Sequence, residues 1–331
     1  MQNEIQKFWE LLQTSQKILL INHIRMDGDA WGSLWALGWV LENMGKQVMA
    51  LNDCPVPPGL NSFWKIDIIQ PKWDVAAFNP DIIISLDASD TKRLWNIYET
   101  WKHIFDEKTL IVIDHHDSNP YFWDINIIDI HATSTCELLT KVLYDLELDT
   151  YIESWEATLL YLGLQTDTNM YFNNDVSPET LRVWANLIEK WADFRKVIYE
   201  MFQKKSFMQM KLWKYLLENL QEDCDGKVRY SFISKENIRE LGIPREEIGG
   251  YLKWAINELL INIQWTQIAF LLYPLDAEEN KVSMRAQPWN NVAAICELFW
   301  GWGHILASWF QSFESEEQII IKLLEKIKER L

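Results

Sequence analysis

The chain is short of glycine: its 331 residues include 12 Gly against 19 Trp, where ordinary usage of about 7% would supply about 23 glycines. That deficit excludes glycine-rich low-complexity and collagen-like chains, and an excess of Trp over Gly requires its own account. Basic residues are also scarce, 31 Lys and Arg against 48 Asp and Glu, for a net charge of −17. This balance argues against long nucleic acids, duplex ones included, because their binding depends on basic surface and counterion release. A short anionic substrate held through metal ions remains compatible, since bound divalent cations dominate a local field.

Cysteine is sparse and unpaired in pattern. Cys54, Cys136, Cys224 and Cys296 are scattered with no Cys-x-x-Cys, which argues against structural zinc and a disulfide framework and favours the reducing cytoplasm. No apolar run approaches the roughly 18 residues of a membrane span, and the opening MQNEIQKFWELLQ lacks the basic-then-apolar pattern of a signal peptide. No membrane partner is expected. What is present is 48% apolar and 24% charged residues, the composition of a soluble globular protein long enough for two domains.

The first half alternates short, continuously apolar runs with amphipathic stretches. Lys17 to Asn22, Gln47 to Asn52, Asp81 to Asp87 and Leu110 to Asp114 read as buried strands, and Ser33 to Met44, Ser134 to Leu146 and Pro178 to Trp191 as helices. The fold class is α/β: residues 1–192 form a domain with a mostly parallel sheet and helices on both faces. Residues 193–222 read as a helical connector. Residues 223–331 read as a smaller α/β domain, with strands Lys227 to Ser234, Thr266 to Pro274 and Lys281 to Ala286, and helices Gly249 to Ile261, Asn291 to Phe299 and Ser315 to Leu331. Phe299 to His304 reads as a Gly/Trp-rich loop.

In parallel sheets ligands bind at the carboxyl ends of the strands. There the sequence gathers His23, Asp27, Asp29, Asp87, Asp114, His115 and His116, with Asp167 following the apolar run Thr158 to Leu164. Taken singly, Met26-Asp-Gly-Asp29 is a solvated turn, His115-His116 a strand end and Asp167 a helix-start cap. Taken together, so many carboxylates at one sheet end repel one another unless cations neutralise them. Mixed carboxylate and imidazole groups without thiolate favour Mn²⁺- or Mg²⁺-type sites, and a pair of such ions is the usual device for activating water against a phosphate ester.

The motifs resemble those of the DHH phosphoesterase family, in its two-domain oligoribonuclease and pAp phosphatase form. His23-Ile-Arg-Met-Asp27-Gly-Asp29-Ala-Trp-Gly-Ser33, Leu86-Asp87-Ala-Ser-Asp90, Asp114-His115-His116 and Thr166-Asp167-Thr168 carry the resemblance in order. Met26 stands where the family has proline. The resemblance implies that His23, Asp27 and Asp87 hold one divalent cation and Asp29, Asp87, His115 and Asp167 a second. Mn²⁺ is the leading ion and Mg²⁺ the alternative, with Asp87 as the bridge. It further implies that His116 contacts the phosphate or assists the leaving group while Asp114 orients the imidazoles. In the second domain, Ser283-Met-Arg285 resembles the family's substrate strand, and Gly301, Gly303 and His304 its glycine-rich, histidine-ending loop. An isolated Arg285 would read as a surface arginine on an edge strand.

The implied activity is hydrolysis of short oligoribonucleotides or 3′-phosphoadenosine 5′-phosphate. Linear or cyclic dinucleotides and polyphosphate are the alternatives within the family, and a non-catalytic nucleotide-binding regulator is the minor one. A second copy of the chain is an allowed partner through Pro178 to Trp191 or the connector.

Trp300 and Trp302 interrupt the loop where the family has glycine. Trp95, Trp191, Trp265 and Trp309 also fall where glycine is expected. We read such tryptophans as UGA codons, decoded as glycine at the source and written here as Trp; the alternative is a divergent homologue. Trp31, Trp35 and Trp39 share one helix and equally suit an apolar stripe.

Overall fold

The computed structural model describes residues 1–24, 26–52, 56–57, 59–63, 74–121, 123–172, 176–275 and 279–331, and for residues 92, 95, 96, 245, 246 and 302 the backbone alone. Cys54 lies outside the described residues. Contacts divide the chain into two units, Met1–Lys204 and Lys205–Leu331. The stretch read as a connector is thereby shared between them.

The first unit runs α1 (Gln2–Thr14), β1 (Lys17–Asn22), α2 (Gly28–Asn43), β2 (Gln47–Leu51), α3 (Val75–Phe78), β3 (Ile82–Leu86), α4 (Trp95–Phe105), β4 (Thr109–Asp114), β5 (Ile125–Ile128), α5 (Thr135–Asp145), α6 (Ser154–Asp167), α7 (Pro178–Glu189) and α8 (Phe194–Ile198). Among the described residues its five strands pair in parallel in the order β2-β1-β3-β4-β5. The strand runs are continuously apolar because side chains alternate between two covered faces. Ile18, Leu20, Ile84 and Ile113 join the core beneath α1, α2, α5 and α6. Leu19, Ile21, Ile83 and Val112 pack with Val75, Ile97 and Phe105 on the other side.

The helix read from Ser33 is α2, which starts five residues earlier, and α1 was not read as an element. The Asp27 carboxylate accepts N–H bonds from Asp29 and Ala30 and opens α2 at Gly28. β5 and α6 were not read as elements. The apolar run 158–164 is part of α6, and Asp167 closes that helix rather than capping the start of one. Two glycines set how closely helices meet around it. A Cβ on Gly32 would lie 2.3 Å from the Leu159 carbonyl oxygen, and one on Gly163 would lie 2.3 Å from Cys136 Sγ and 2.8 Å from Asp29 Oδ1. Bare backbone is what brings α2, α5 and α6 together near Asp29.

The second unit comprises α9 (Phe207–Glu218), β6 (Gln221–Asp223), β7 (Val228–Phe232), α10 (Lys235–Leu241), α11 (Arg245–Glu258), β8 (Ile268–Pro274), β9 (Asn280–Ala286), α12 (Ala293–Cys296), β10 (Trp302–His304), β11 (Ala307–Ser312) and α13 (Glu316–Lys328). Its described strands form a mixed sheet, β10-β11-β9-β8-β7-β6, in which β7 and β8 are parallel and the other pairs antiparallel. Ile319, Leu323 and Ile327 of α13 cover one face, and Leu212, Leu216, Leu252 and Ile256 of α9 and α11 cover the other. The segment read as a loop ends in strand β10, paired in a hairpin with β11. Glycine at every second position of Trp300-Gly-Trp-Gly303 is depleted in strands and reads as a loop.

Two groups stand out among the tryptophans. Trp31 and Trp35 are core residues, buried and packed edge to face with ring centroids 5.5 Å apart; the apolar-stripe reading holds for them. Trp191, Trp265 and Trp300 are 83%, 76% and 91% exposed and have φ of 64°, 72° and 59°. Left-handed backbone favours glycine because a Cβ is crowded there. The local bonds are those of glycine turns. After α7 the Trp191 N–H bonds Ile188 and the Ala192 N–H bonds Leu187, the usual glycine-terminated helix end. The Thr266 N–H closes a turn onto Ile263 with Trp265 in its third position. Trp309 lies within β11, where nothing in the backbone requires glycine.

Candidate metal centre

Parallel pairing puts the carboxyl ends of β1, β3 and β4 on one side, and the polar residues follow directly from them: His23 after β1, Asp87 after β3, and Asp114, His115 and His116 at the end of β4. Asp87 turns off its strand with φ of 57°, its N–H held by the Ile113 carbonyl at 3.1 Å. Asp27 and Asp29 arrive from the first turn of α2, and Asp167 from the last residue of α6.

Three groups of ligand atoms result, each lying within 4.8 Å: His23, Asp27 and Asp87; Asp29, His115 and Asp167; and Asp87, His115 and His116. Asp87 belongs to two of them. Its Oδ2 is 3.2 Å from His23 Nε2, while its Oδ1 is 3.7 Å from both His115 Nε2 and His116 Nδ1. His115 Nε2 also lies 3.3 Å from Asp167 Oδ2 and 4.0 Å from Asp29 Oδ2. All six proposed ligands converge, and the two remaining residues, Asp114 and His116, adjoin them.

The electrostatics show the strain of this crowding. Burial and the neighbouring Asp87 charge raise the Asp29 pKa to about 7. Burial and Asp29 likewise push Asp167 well above the usual carboxylate range. For His23, burial favours the neutral ring, but the Asp87 hydrogen bond and the charges of Asp87 and Asp27 outweigh it and raise the pKa to about 9. His115 is similarly raised to about 9, burial being overcome by Asp167, Asp29 and Asp87. Asp87 stays far below its ordinary value because the three imidazoles outweigh its burial.

The residues fit a divalent-cation centre on a further observation. His23 Nδ1 lies 2.6 Å from the Ile24 carbonyl and His115 Nδ1 lies 3.3 Å from the Ala132 carbonyl. A carbonyl can only accept, so Nδ1 carries a proton in both rings, and Nε2 faces the carboxylate cluster as the atom that would ligate a cation once its own proton is displaced, the usual orientation of a ligating histidine. His116 differs. Its Nδ1 is 2.7 Å from Asp114 Oδ1, and Asp114 is itself fixed by the His115 N–H at 2.9 Å and the Asn119 amide at 2.7 Å.

In the second unit, Arg285 lies on β9, flanked by β8 and β11, and not on an edge. Its Nε donates to Asn257 Oδ1 at 2.7 Å and its Nη1 to the Met284 carbonyl at 2.8 Å; burial lowers its pKa to about 10. His304 pairs with Ala307, which pairs with Arg285, so Arg285 and His304 share one row and one face of the sheet. Ser283 lies two residues along the same face, its Oγ 3.2 Å from the Tyr273 hydroxyl. A Cβ on Gly301 would lie 2.3 Å from the Trp309 carbonyl oxygen, and Gly303, at φ of 147°, is similarly tight against Ala307 and Ser308. The loop can therefore lie flat on β11. The Trp302 side chain is outside the described residues.

The sequence reading missed four contributors: Asn119, Thr135, Arg93 and Asn257. Arg93 Nη1 is 3.5 Å from His116 Nε2. Only Arg93 and Asn119 are near a motif in sequence; Thr135 reaches Asp87, and Asn257 reaches Arg285, through space.

Residues 17–164 match the model of the DHH family, N-terminal domain. The chain is 24% identical over 90% of its length to the bifunctional oligoribonuclease and PAP phosphatase NrnA of Mycoplasma pneumoniae, covering 88% of that protein. It is 23% identical over 94% of its length to the Bacillus subtilis protein of the same description, covering 95% of it. Among solved structures it is similar to an exopolyphosphatase-related protein from Bacteroides fragilis, with a TM-score of 0.90, 22% identity and coverage of 99% of this chain and 96% of that one. By this match, and by the ordered motifs that build the cluster, residues 17–164 are a DHH family N-terminal domain.

Proposed function

We propose that the chain is a divalent-cation-dependent phosphoesterase that hydrolyses short oligoribonucleotides and 3′-phosphoadenosine 5′-phosphate. The observation that carries this reading is Asp87, whose two carboxylate oxygens face two different sets of ligand atoms. His23, Asp27 and Asp87 would hold one ion, and Asp87, Asp29, His115 and Asp167 the other. Mn²⁺ or Mg²⁺ bound there would supply charge neutralisation for the phosphate and a lowered pKa for the attacking water.

The chain's own groups do the rest. Asp114 holds the His116 ring through Nδ1, so Nε2 is the atom that would carry a proton to the leaving oxygen. Arg93, beside that nitrogen, is placed to take a phosphate oxygen. In the second unit, Arg285 is fixed through Nε and Nη1 and would offer the remainder of its planar fork to an anionic group of the substrate, with His304 on the same row. The NrnA relatives, described as oligoribonucleases and PAP phosphatases over nearly the same length, support this substrate class. The exopolyphosphatase-related structure makes polyphosphate the substrate to set against it.

The test is hydrolysis of pAp, di- to pentanucleotides and polyphosphate with Mn²⁺, Mg²⁺ or chelator, using the chain as written and a version carrying Trp300→Gly, Trp302→Gly and Trp309→Gly. Metal-dependent cleavage of pAp or the short RNAs, abolished by Asp87→Asn in a folded protein, is expected. Failure of both versions on every substrate, or an Asp87→Asn variant with full activity, refutes the proposal.

A further inference from the structure

We infer that Thr135 is a positioning residue for the carboxylates of Asp87 and Asp29, its hydroxyl fixing the plane in which the two oxygens of Asp87 face the two sets of ligand atoms. This rests on the metal-centre reading above. Thr135 is the first residue of α5 and is fully buried. Its Oγ1 donates to Asp87 Oδ1 at 3.1 Å. Its backbone N–H donates to Asp29 Oδ2 at 2.6 Å, and the next N–H, of Cys136, donates to Asp29 Oδ1 at 2.8 Å. One helical turn therefore holds two separate carboxylates, one through a side chain and the other through two backbone donors.

The division of labour follows from torsional freedom. The terminal torsion of an aspartate is broad, so an unheld Asp87 carboxylate could turn its plane away from one set of ligand atoms or the other. A hydroxyl on one oxygen, Oδ1, narrows that swing and keeps the other facing His23 Nε2. A carboxylate oxygen has more than one lone pair, so the bond still leaves Oδ1 able to serve as a ligand toward His115. Asp29 needs no such side chain because both of its oxygens are already held by the first N–H groups of α5.

The turn that carries the hydroxyl is itself rigid. Ser134 Oγ caps the Glu137 N–H at 3.0 Å. The buried Glu137 Oε2 accepts from the Thr133 N–H at 3.0 Å, the Thr133 hydroxyl at 2.7 Å and the Thr180 hydroxyl at 3.1 Å. Partners of this kind around ligating groups typically change metal affinity by 10–100-fold when removed. A threonine that merely fills space at a helix start would have no such effect.

The experiment compares the full chain with Thr135→Val, which keeps the shape and loses the hydroxyl, Thr135→Ala, which loses both, and Thr135→Ser, which keeps the hydroxyl. Metal-free thermal unfolding reports the fold, and Mn²⁺ uptake is followed by the electron paramagnetic resonance signal of free Mn²⁺. The expected result is metal-free melting of Thr135→Val close to wild type, with uptake at one or both sites weakened by about 10-fold or more, and near-wild-type uptake in Thr135→Ser. Should Thr135→Val fail to fold, Thr135→Ala carries the same comparison. Wild-type uptake in a folded Val or Ala variant overturns the inference, as does a Ser variant as weak as Val. Wild-type protein that takes up no Mn²⁺ refutes the metal-centre reading itself, a result distinct from either.

Discussion

Replacing Trp191, Trp265 and Trp300 together by glycine should stabilise the protein, the reverse of what deleting three large apolar side chains ordinarily does. Holding a residue with a Cβ in left-handed backbone costs about 1–2 kcal/mol. Glycine removes that cost but adds about 0.5–1 kcal/mol through its freer unfolded chain, leaving a net gain of about 0.5–1 kcal/mol per site. Little burial is lost, since the three indoles are 83%, 76% and 91% exposed. Trp191 belongs to the first unit and the other two to the second, so the gain should be about twice as large in the second. At about 2–4 °C per kcal/mol, the expected rise is roughly 2 °C in the first unit and 4 °C in the second, read by differential scanning calorimetry with urea unfolding as a check. Two controls fix the sign. Trp31→Gly, in the core, should cost roughly 3–5 kcal/mol. Trp309→Gly should also destabilise, because β11 gains nothing from glycine and the contact of the Lys281 ammonium, 4.1 Å from the indole centroid, is lost. A triple variant that melts lower than the parent refutes the backbone argument. UGG codons at these three positions refute codon reassignment even if the stability gain is found.

Metal-free protein should lose stability as pH rises. His23 and His115 have folded pKa values raised to about 9 from an ordinary 6.5, so their contribution is complete below pH 6.5 and lost by about pH 9. Asp29, raised to about 7, acts in the same direction between its ordinary value and pH 7; melting temperatures in chelator that are flat or rising from pH 6 to 9 contradict this. The same protons compete with cations, so apparent Mn²⁺ affinity should rise over that window, with proton release measurable by calorimetry in buffers of different ionisation heat. Arg285→Lys should raise KM for pAp by about 10-fold with a smaller change in kcat, since an ammonium cannot bond Asn257 and a substrate anion as one planar fork; an unchanged KM removes Arg285 from substrate binding.

The gathering of Asp and His side chains was legible in the sequence because three of its motifs are local. Each polar group directly follows an apolar run, and in a parallel sheet the ends of such runs meet by construction. Asp167 was legible only as a motif: it ends a helix, and nothing in the periodicity of residues 158–164 places that end beside His115. Thr135 was not legible at all. Its bond to Asp87 spans 48 residues and its N–H bond to Asp29 spans 106, and hydrophobic patterning reports which face of α5 is buried, not what its first turn touches. Asn257 is hidden in the same way, 28 residues from the Arg285 it holds.

The tryptophans were legible as a compositional oddity, and the backbone gives that oddity its physical meaning. Trp300 adjoins Gly301, and two residues further lies Gly303, beside the His304 that shares a row with Arg285. The six proposed ligands all belong to the first unit, whereas Trp300 belongs to the second. Metal uptake and substrate handling should therefore separate: the chain as written and its Trp300→Gly variant should bind Mn²⁺ alike, while the variant alone gains in KM for pAp. Equal kinetics in the two would mean that the exposed indole at 300 stays clear of the substrate. Loss of metal uptake in the variant would mean that the two functions are not independent.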